Sequence, residues 1–278
     1  MLGCPSLTFL RGIAIHRREK DTPPPQLAAS AGVDDAPAAV ICRAVDYPLG
    51  YLIETHRHRR HQLIYAVQGL MVVMSGHGRW VVPSTRALWI PAGTEHAVRC
   101  IGRVHMRSLY VRSDAIVGMP AQLSVVEVGP LLAELLHQAA TVVWDHQPDS
   151  RDGRLMRLIL DELHALPELP LHLPEPADPR LRRIYQALQE DPANSSTLSE
   201  WATQLDLNSK TLQRLFQRTL GMSFGQWRQQ VRLLHGLERL ATGEKIIEVA
   251  LALGYDSPSA FSAMFRRQFG QPPSRFFA

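Results

Sequence analysis

Cysteine, aromatic residues and long apolar runs are all scarce in this 278-residue chain. Its three cysteines, Cys4, Cys42 and Cys100, form an odd set with no CxxC spacing. That argues against a disulfide framework or a zinc finger and fits a reducing compartment. No apolar run approaches the roughly 20 residues needed to cross a bilayer, so no membrane span is expected. No Ser/His/Asp arrangement, phosphate-binding glycine loop or reactive-cysteine setting is visible, and catalysis is not expected. The opening MLGCPSLTFLRGIAIHRREK lacks a leading basic cluster and makes a poor signal peptide; the expected location is the cytoplasm. The tract DTPPPQLAASAGVDDAP then marks residues 1–38 as a disordered arm.

What is present divides the chain at the proline-rich tract PELPLHLPEPADP. Before Asp178 there are 17 Lys+Arg against 17 Asp+Glu; from Asp178 onward there are 13 against 9, so the net charge of +4 lies wholly in the last hundred residues. A locally basic segment favours a polyanionic partner.

Within those residues one helical pattern occurs twice, as TLSEWATQLDLNSKTLQRLFQRTLG (197–221) and as EKIIEVALALGYDSPSAFSAMFRRQFG (244–270). Each copy has a short helix with a small inner residue, Ala202 or Ala250, a tight turn, and a second helix opened by Asn208 or Ser257. Thr197 with Glu200 reads as a capping box, and Ser257–Pro258 as an N-cap followed by proline at the first helical position. Leu198, Trp201, Leu205, Leu212, Leu215 and Phe216 supply a core for the first unit; Ile247, Val249, Leu253, Phe261, Met264 and Phe265 do so for the second. Small residues at the crossing are what a helix-turn-helix requires. Lys210, Gln213, Arg214 and Gln217 then form an i, i+3, i+4, i+7 ridge. Lys and Arg match guanine O6 and N7, Gln matches adenine, and Arg218 can grip phosphate. Residues 222–241 read as a helix joining the units, which would set two reading helices about 34 Å apart in successive major grooves.

The last hundred residues resemble the AraC/XylS-type bacterial transcription regulators in TLQRLFQRTLGMSFGQWRQQVRLL, in EVALALGYDSPSAFSAMFRRQFGQPPSRF, and in the distance between them. The resemblance implies a seven-helix double helix-turn-helix domain over 179–278 that binds asymmetric promoter sites and usually activates transcription by touching RNA polymerase. It assigns base reading to Lys210, Gln213 and Arg214. Ser259, Ala260 and Ala263 hold the matching places in the second unit, so that unit is expected to anchor phosphates through Ser257, Ser259, Ser262, Arg266 and Arg267.

Residues 39–128 alternate with a period of two in about nine short runs broken by Gly and Pro, which predicts a small antiparallel barrel or sandwich. Here lies THRHRRHQ (55–62). As a strand it puts His56, His58, Arg60 and Gln62 on one face and Arg57, Arg59 and His61 on the other. A nucleic-acid role fits poorly in this neutral half, and Arg57, Arg59 and Arg60 read as a solvated edge that discourages strand pairing. The spacing H-x-H-x3-Q-x6-G (56–69), with P-x-G-x2-H (91–96), is similar to the two cupin motifs. The resemblance implies an effector pocket at His56, His58, Gln62 and His96. In metal-binding cupins a glutamate stands where Gln62 stands, and a neutral amide weakens the charge balance of a divalent ion. Three readings stay open: a polar small-molecule pocket, a metal held by His56, His58 and His96, and ordinary hydrogen-bonded histidines.

Helical spacing at Leu132, Leu135, Leu136 and Ala139, and at Leu155, Leu158, Ile159 and Leu163, predicts two helices over 129–166 that cap the core or pair two protomers as a homodimer. Residues 167–178 are the expected linker. The expectation is an α+β two-domain protein, a cupin-like sensor barrel followed by the DNA-binding helices, with promoter DNA, a small effector and RNA polymerase as partners and no required cofactor. The rival readings are a metal-dependent cupin enzyme and a constitutive DNA-binding protein whose barrel only dimerises.

Overall fold

The computed structural model describes residues 32–276 except 77, 85, 165–167, 170 and 171. Among the described residues, nine strands form one antiparallel sheet: β1 (Val40–Tyr47), β2 (Leu52–His56), β3 (His61–Ser75), β4 (Gly78–Pro83), β5 (Arg86–Ile90), β6 (His96–Val111), β7 (Ser124–Glu127), β8 (Glu168–Leu169) and β9 (His172–Pro174). The ladder runs β1-β6-β3-β5-β7-β8, with β2 on β6 and β4–β9 branching from β3, and it does not close. The architecture is therefore an open antiparallel barrel followed by helices.

The short runs expected from sequence merge into two long central strands, β3 and β6, of 15 and 16 residues. Glycine bends them where breaks were expected. Gly69 of β3 and Gly102 of β6 have φ of 88° and 75°, in the left-handed region that glycine alone enters freely. A Cβ at Gly69 would collide with the carbonyl of Arg103, so the close approach also needs glycine. At this bend the β3/β6 register shifts and both strands change partners. The first half of β6 pairs with β2 and its second half with β1; the first half of β3 pairs with β5 and its second half with β4.

Two helices, α1 (Pro130–Ala139) and α2 (Arg151–His164), cover one apolar face. Leu132, Leu136, Ala139, Met156, Ile159 and Leu163 pack there with Leu63, Trp89, Leu109 and Val111. Leu158 is exposed instead, and Met156 takes the inner place.

Three expectations need correction. Residues 32–38, placed in the disordered arm, are ordered: Val33 is fully buried beside Ile41 and Tyr110, and the Ala38 amide donates to Trp144 O. Residues 1–31 lie outside the described residues. The linker tract is partly sheet, because β8 pairs with β7 and β9 with β4. Arg60 belongs to no solvated edge: only 3% exposed, its guanidinium donates to the carbonyls of Ala36, Ala38 and Ala39. Arg59 stays outside and pairs with Asp34 and Asp35.

Seven helices follow: α3 (Pro179–Glu190), α4 (Leu198–Gln204), α5 (Ser209–Leu220), α6 (Phe224–Ala241), α7 (Ile246–Ala252), α8 (Pro258–Phe269) and α9 (Pro273–Phe276). The capping box at Thr197 and Glu200 forms, as do the side-chain caps at Asn208 and Ser257. A second box joins Ser223 and Gln226 at the start of α6. Trp201, Phe216, Trp227, Val249, Phe261 and Phe265 fill a core continuous with the β4 side of the barrel. Ile247, expected in that core, is 53% exposed, and Ile246 packs in its place. No described helix is long and apolar enough to cross a membrane.

Candidate functional site

The first candidate surface is built by α4 and α5. Their turn closes when the Leu207 amide reaches back to Ala202 O at 2.8 Å. Burial of Leu212, Leu215, Phe216 and Leu220 fixes which face of α5 points inward. Lys210, Arg214, Gln217 and Arg218 are consequently exposed and Gln213 is half-buried. The Gln217 amide donates to Gly221 O at 3.0 Å, so part of its polar capacity is spent on the helix end. A cleft of about 500 Å³ lined by Arg180, Thr211, Arg214, Gln217 and Arg218 adjoins the ridge, and Arg180 was not foreseen there.

The second surface is on α8, where Phe261, Met264, Phe265 and Phe269 face inward. Ser259, Ala260, Ala263, Arg266 and Arg267 are exposed, with Ser257 and Ser262 half-buried. Ser257 Oγ accepts the Ala260 amide as the helix cap, leaving its O–H as a donor. The loop that leads into the first unit is strapped to α6. There Arg232 donates to the carbonyls of Pro192, Ala193 and Asn194, and Arg228 donates to Ser196 O. Their partners are main-chain carbonyls, which carry no sequence signal.

The third candidate is the histidine group. THRHRRHQ is not one strand: β2 ends at His56, β3 begins at His61, and the chain bends between them. The inside/outside alternation survives, with His58, Arg60 and Gln62 buried and Arg57 and Arg59 exposed. The second motif is stitched to this bend, since the Gly93 amide donates to His58 O and the Ala92 amide to His61 Nδ1. His61 is thereby structural, and it stacks on Trp89 at 5.0 Å. Pairing of β2 with β6 sets His56 opposite His96. The His56 and His96 ring centroids are 4.3 Å apart, and His58 lies 4.9 Å from His56 and 5.7 Å from His96.

Gln62 stands apart from a ligand role for the moment: its Nε2 donates to Ser108 Oγ and to the Tyr110 hydroxyl at 3.3 and 3.1 Å. The Tyr110 ring in turn meets His58 edge-on at 5.0 Å. His56 Nδ1 lies 2.7 Å from Glu54 O, and His96 Nδ1 lies 2.9 Å from Thr94 O. A carbonyl only accepts, so both Nδ1 atoms carry the proton and the Nε2 lone pairs are free. Both nitrogens of His58, Nε2 of His96 and Oε1 of Gln62 are buried without a hydrogen-bond partner. Burial, reinforced for His58 by the neighbouring His56, pushes the His58 and His96 rings down to about 4. Both are neutral at pH 7.

The barrel meets the C-terminal helices along α6, which packs on β3, β4, β6 and β9. Glu238 of α6 binds Arg79 of β4 and, at 2.9 Å, Arg99 of β6. Arg79 also donates to Gln189 Oε1, which accepts from His235 Nε2 as well.

Comparison with known proteins bears on these surfaces. Residues 201–278 match the family model described as a helix-turn-helix domain. The chain is 33% identical over 223 residues to the HTH-type transcriptional regulator NimR of Escherichia coli (strain K12), covering 80% of this chain and 81% of that one. It is 35% identical over 103 residues to the HTH-type transcriptional regulator RipA of Corynebacterium glutamicum, covering 37% and 31% of the two chains. Unsaturated fatty acid bound ToxT from Vibrio cholerae aligns over 86% of this chain and 94% of its own at 12% identity and a TM-score of 0.36, too distant a likeness to add to the case. Two cap-closed bihelical units joined by one helix, within a chain so related to NimR, define a DNA-binding transcription regulator. The protein belongs to the AraC/XylS-type family.

Proposed function

We propose that this regulator reads promoter bases with Lys210, Gln213, Arg214 and Gln217, grips phosphates with Arg218 and with α8, and adjusts that grip when a small effector enters the histidine pocket. The observation supporting the sensing half is the set of buried polar atoms at His58, His96 and Gln62 with no partner inside the protein. Leaving such atoms unpaired costs ~1–3 kcal/mol each, so a bound molecule that pairs them gains it back.

A route to the helices follows from strand geometry. Side chains alternate along β6, so His96 points into the pocket while Arg99, three residues on, points out to Glu238 of α6. A ligand that draws His96 inward tilts the segment carrying Arg99. For occupancy to control DNA binding, the two arrangements must differ in effector affinity, by ~1–3 kcal/mol in typical cases. Exposed Leu131 and Leu158 on α1 and α2 support a homodimer through these helices, and contact with RNA polymerase completes an activator's role in the cytoplasm.

The test is quantitative footprinting on promoter fragments across a salt series, with and without candidate metabolites. Salt-sensitive, sequence-selective protection that shifts with one metabolite supports the reading; protection indifferent to sequence sinks it.

A further inference from the structure

We propose that each helix-turn-helix unit, taken with the helix before it, carries one seat for a DNA backbone phosphate, completed by Arg180 in the first unit and Arg228 in the second. The inference rests on the promoter-reading role of α5 and adds two positioning residues that lie on neither reading helix.

The seats emerge from the repeat. The cleft beside α5 has a counterpart of about 330 Å³ beside α8, and the two are lined at equivalent positions. Counted from the caps Asn208 and Ser257, Thr211 matches Ala260, Leu215 matches Met264 and Arg218 matches Arg267. The opposite wall matches as well: Arg180 and Gly225 are each the second residue past the caps Asp178 and Ser223 of α3 and α6. Gly225 has no side chain to offer, and Arg228, one turn further along α6, supplies the charge instead. A single cleft is readily an accident of packing. The same cleft at the same place in two units of different sequence is a property of the fold.

Charge and geometry say what fits. Arg180, Arg214 and Arg218 line the first cleft, Arg228, Arg232 and Arg267 line the second, and no Asp or Glu lines either. Arg232 is committed to the carbonyls of Pro192, Ala193 and Asn194. The Arg228 bonds to Ser195 O and Ser196 O both use Nη1, which leaves the Nε–Nη2 edge of its fork for an anion. Each cleft flanks a reading helix, where the phosphate strand beside the major groove would pass, and phosphate contacts fix the register of such a helix without selecting sequence. With α5 and α8 in successive major grooves, matching clefts meet equivalent phosphates one helical turn apart. The seats differ in one respect. Both carboxylate oxygens of Asp178 accept from the Arg180 guanidinium, at 3.0 and 2.7 Å, so the first seat is aimed but partly neutralised.

Full-length protein is titrated by fluorescence anisotropy against a footprinted promoter fragment and a scrambled one across a potassium chloride series. Arg180→Gln and Arg228→Gln should each weaken both fragments by the same factor and flatten the slope of log K against log salt by about one. Arg228→Lys should keep the slope, because a phosphate needs the charge whereas the loop carbonyls need the fork. Asp178→Asn, which retains a capping side chain, should tighten both fragments at low salt. An unaltered slope in either glutamine variant overturns that seat, and in both it overturns the inference. A slope as flat in Arg228→Lys as in Arg228→Gln overturns the second seat, since a structural strap is lost in both. Should Arg228→Gln not fold, Arg180→Gln decides, because that side chain is exposed and the Asp178 cap on the Arg180 amide survives its loss. Selectivity lost in Arg214→Ala beside unaltered slopes at Arg180 and Arg228 leaves base reading by α5 standing while the phosphate seats fall.

Discussion

In the first helix-turn-helix unit the backbone enters the left-handed region at Asp206, φ 54°, and in the second at Gly254, φ 72°. Both turns close alike, Leu207 N on Ala202 O and Tyr255 N on Ala250 O, at 2.8 and 3.0 Å. Their surroundings differ. Both turn residues are exposed, but a Cβ at Gly254 would stand 2.9 Å from Ala193 O and 3.0 Å from Arg232 Nη2. Their outer faces differ too, with Lys210, Arg214 and Arg218 exposed on α5 against Ser259, Ala260 and Ala263 on α8. One turn geometry thus serves two purposes: the first unit displays polar reach, and the second turn packs closely against the loop before α4.

The largest expected effect breaks the wedged turn. Gly254→Ala adds left-handed strain of ~1–2 kcal/mol to a clash with a backbone carbonyl, and should destabilise the domain by about 2–3 kcal/mol in urea unfolding. An equal cost for Asp206→Ala would erase the contrast between the turns.

Next comes the helix that supports both units. Burial, with Arg79, Arg239 and Arg99 nearby, pushes His235 down to about 4. Glu238 beside it is already engaged by Arg79 and Arg99. An unfolded chain takes up that proton below about 6.5, the folded one only near 4. Stability from the neutral ring is therefore complete above pH 6.5 and is lost as pH falls toward 4, by about 2 kcal/mol at pH 5. His58 and His96 add slopes of the same sign, so the check is the difference between wild type and His235→Gln, whose urea midpoint should fall less on acidification.

The DNA-binding contrast is tested by paired substitutions. Arg214→Ala should cost ~1–3 kcal/mol of discrimination at one base position. Arg266→Ala should weaken all sequences alike and reduce the salt slope by about one ion. Selectivity lost equally in both would give the second unit a reading role. Arg57→Ala, on the exposed barrel bend, should leave DNA affinity nearly unchanged.

How far the fold could be read from residues follows the same division. Caps and turns depend on neighbours within four or five positions, so Thr197–Glu200, Asn208 and Ser257–Pro258 announced their helices. Ile247 was misplaced because two adjacent isoleucines satisfy one apolar position and only tertiary packing chooses between them. In the barrel, Gly69 and Gly102 read as breaks because a glycine that bends a paired strand looks like one that ends it. Arg60 read as solvent-facing because its partners are main-chain carbonyls from residues 36–39. The histidine pocket was legible as spacing, yet the role of Gln62 depended on Ser108 and Tyr110, 46 and 48 positions away.

The smallest effect sharpens the contrast from the other side. Asp206 occupies a conformation that costs an L-residue energy, although aspartate tolerates it better than most. Its side chain is exposed, so removing it sacrifices little packing. Asp206→Gly should therefore raise stability by up to about 1 kcal/mol, net of the extra freedom glycine gives the unfolded chain. The substitution also removes a negative charge two residues before the N-cap of α5, beside the cationic ridge proposed to meet DNA. Promoter affinity should rise slightly at low salt, and the gain should vanish as salt screens it. A loss of stability would mean that Asp206 makes the turn as well as Gly254 does, leaving the wedge around Gly254 as the sole difference between the two turns.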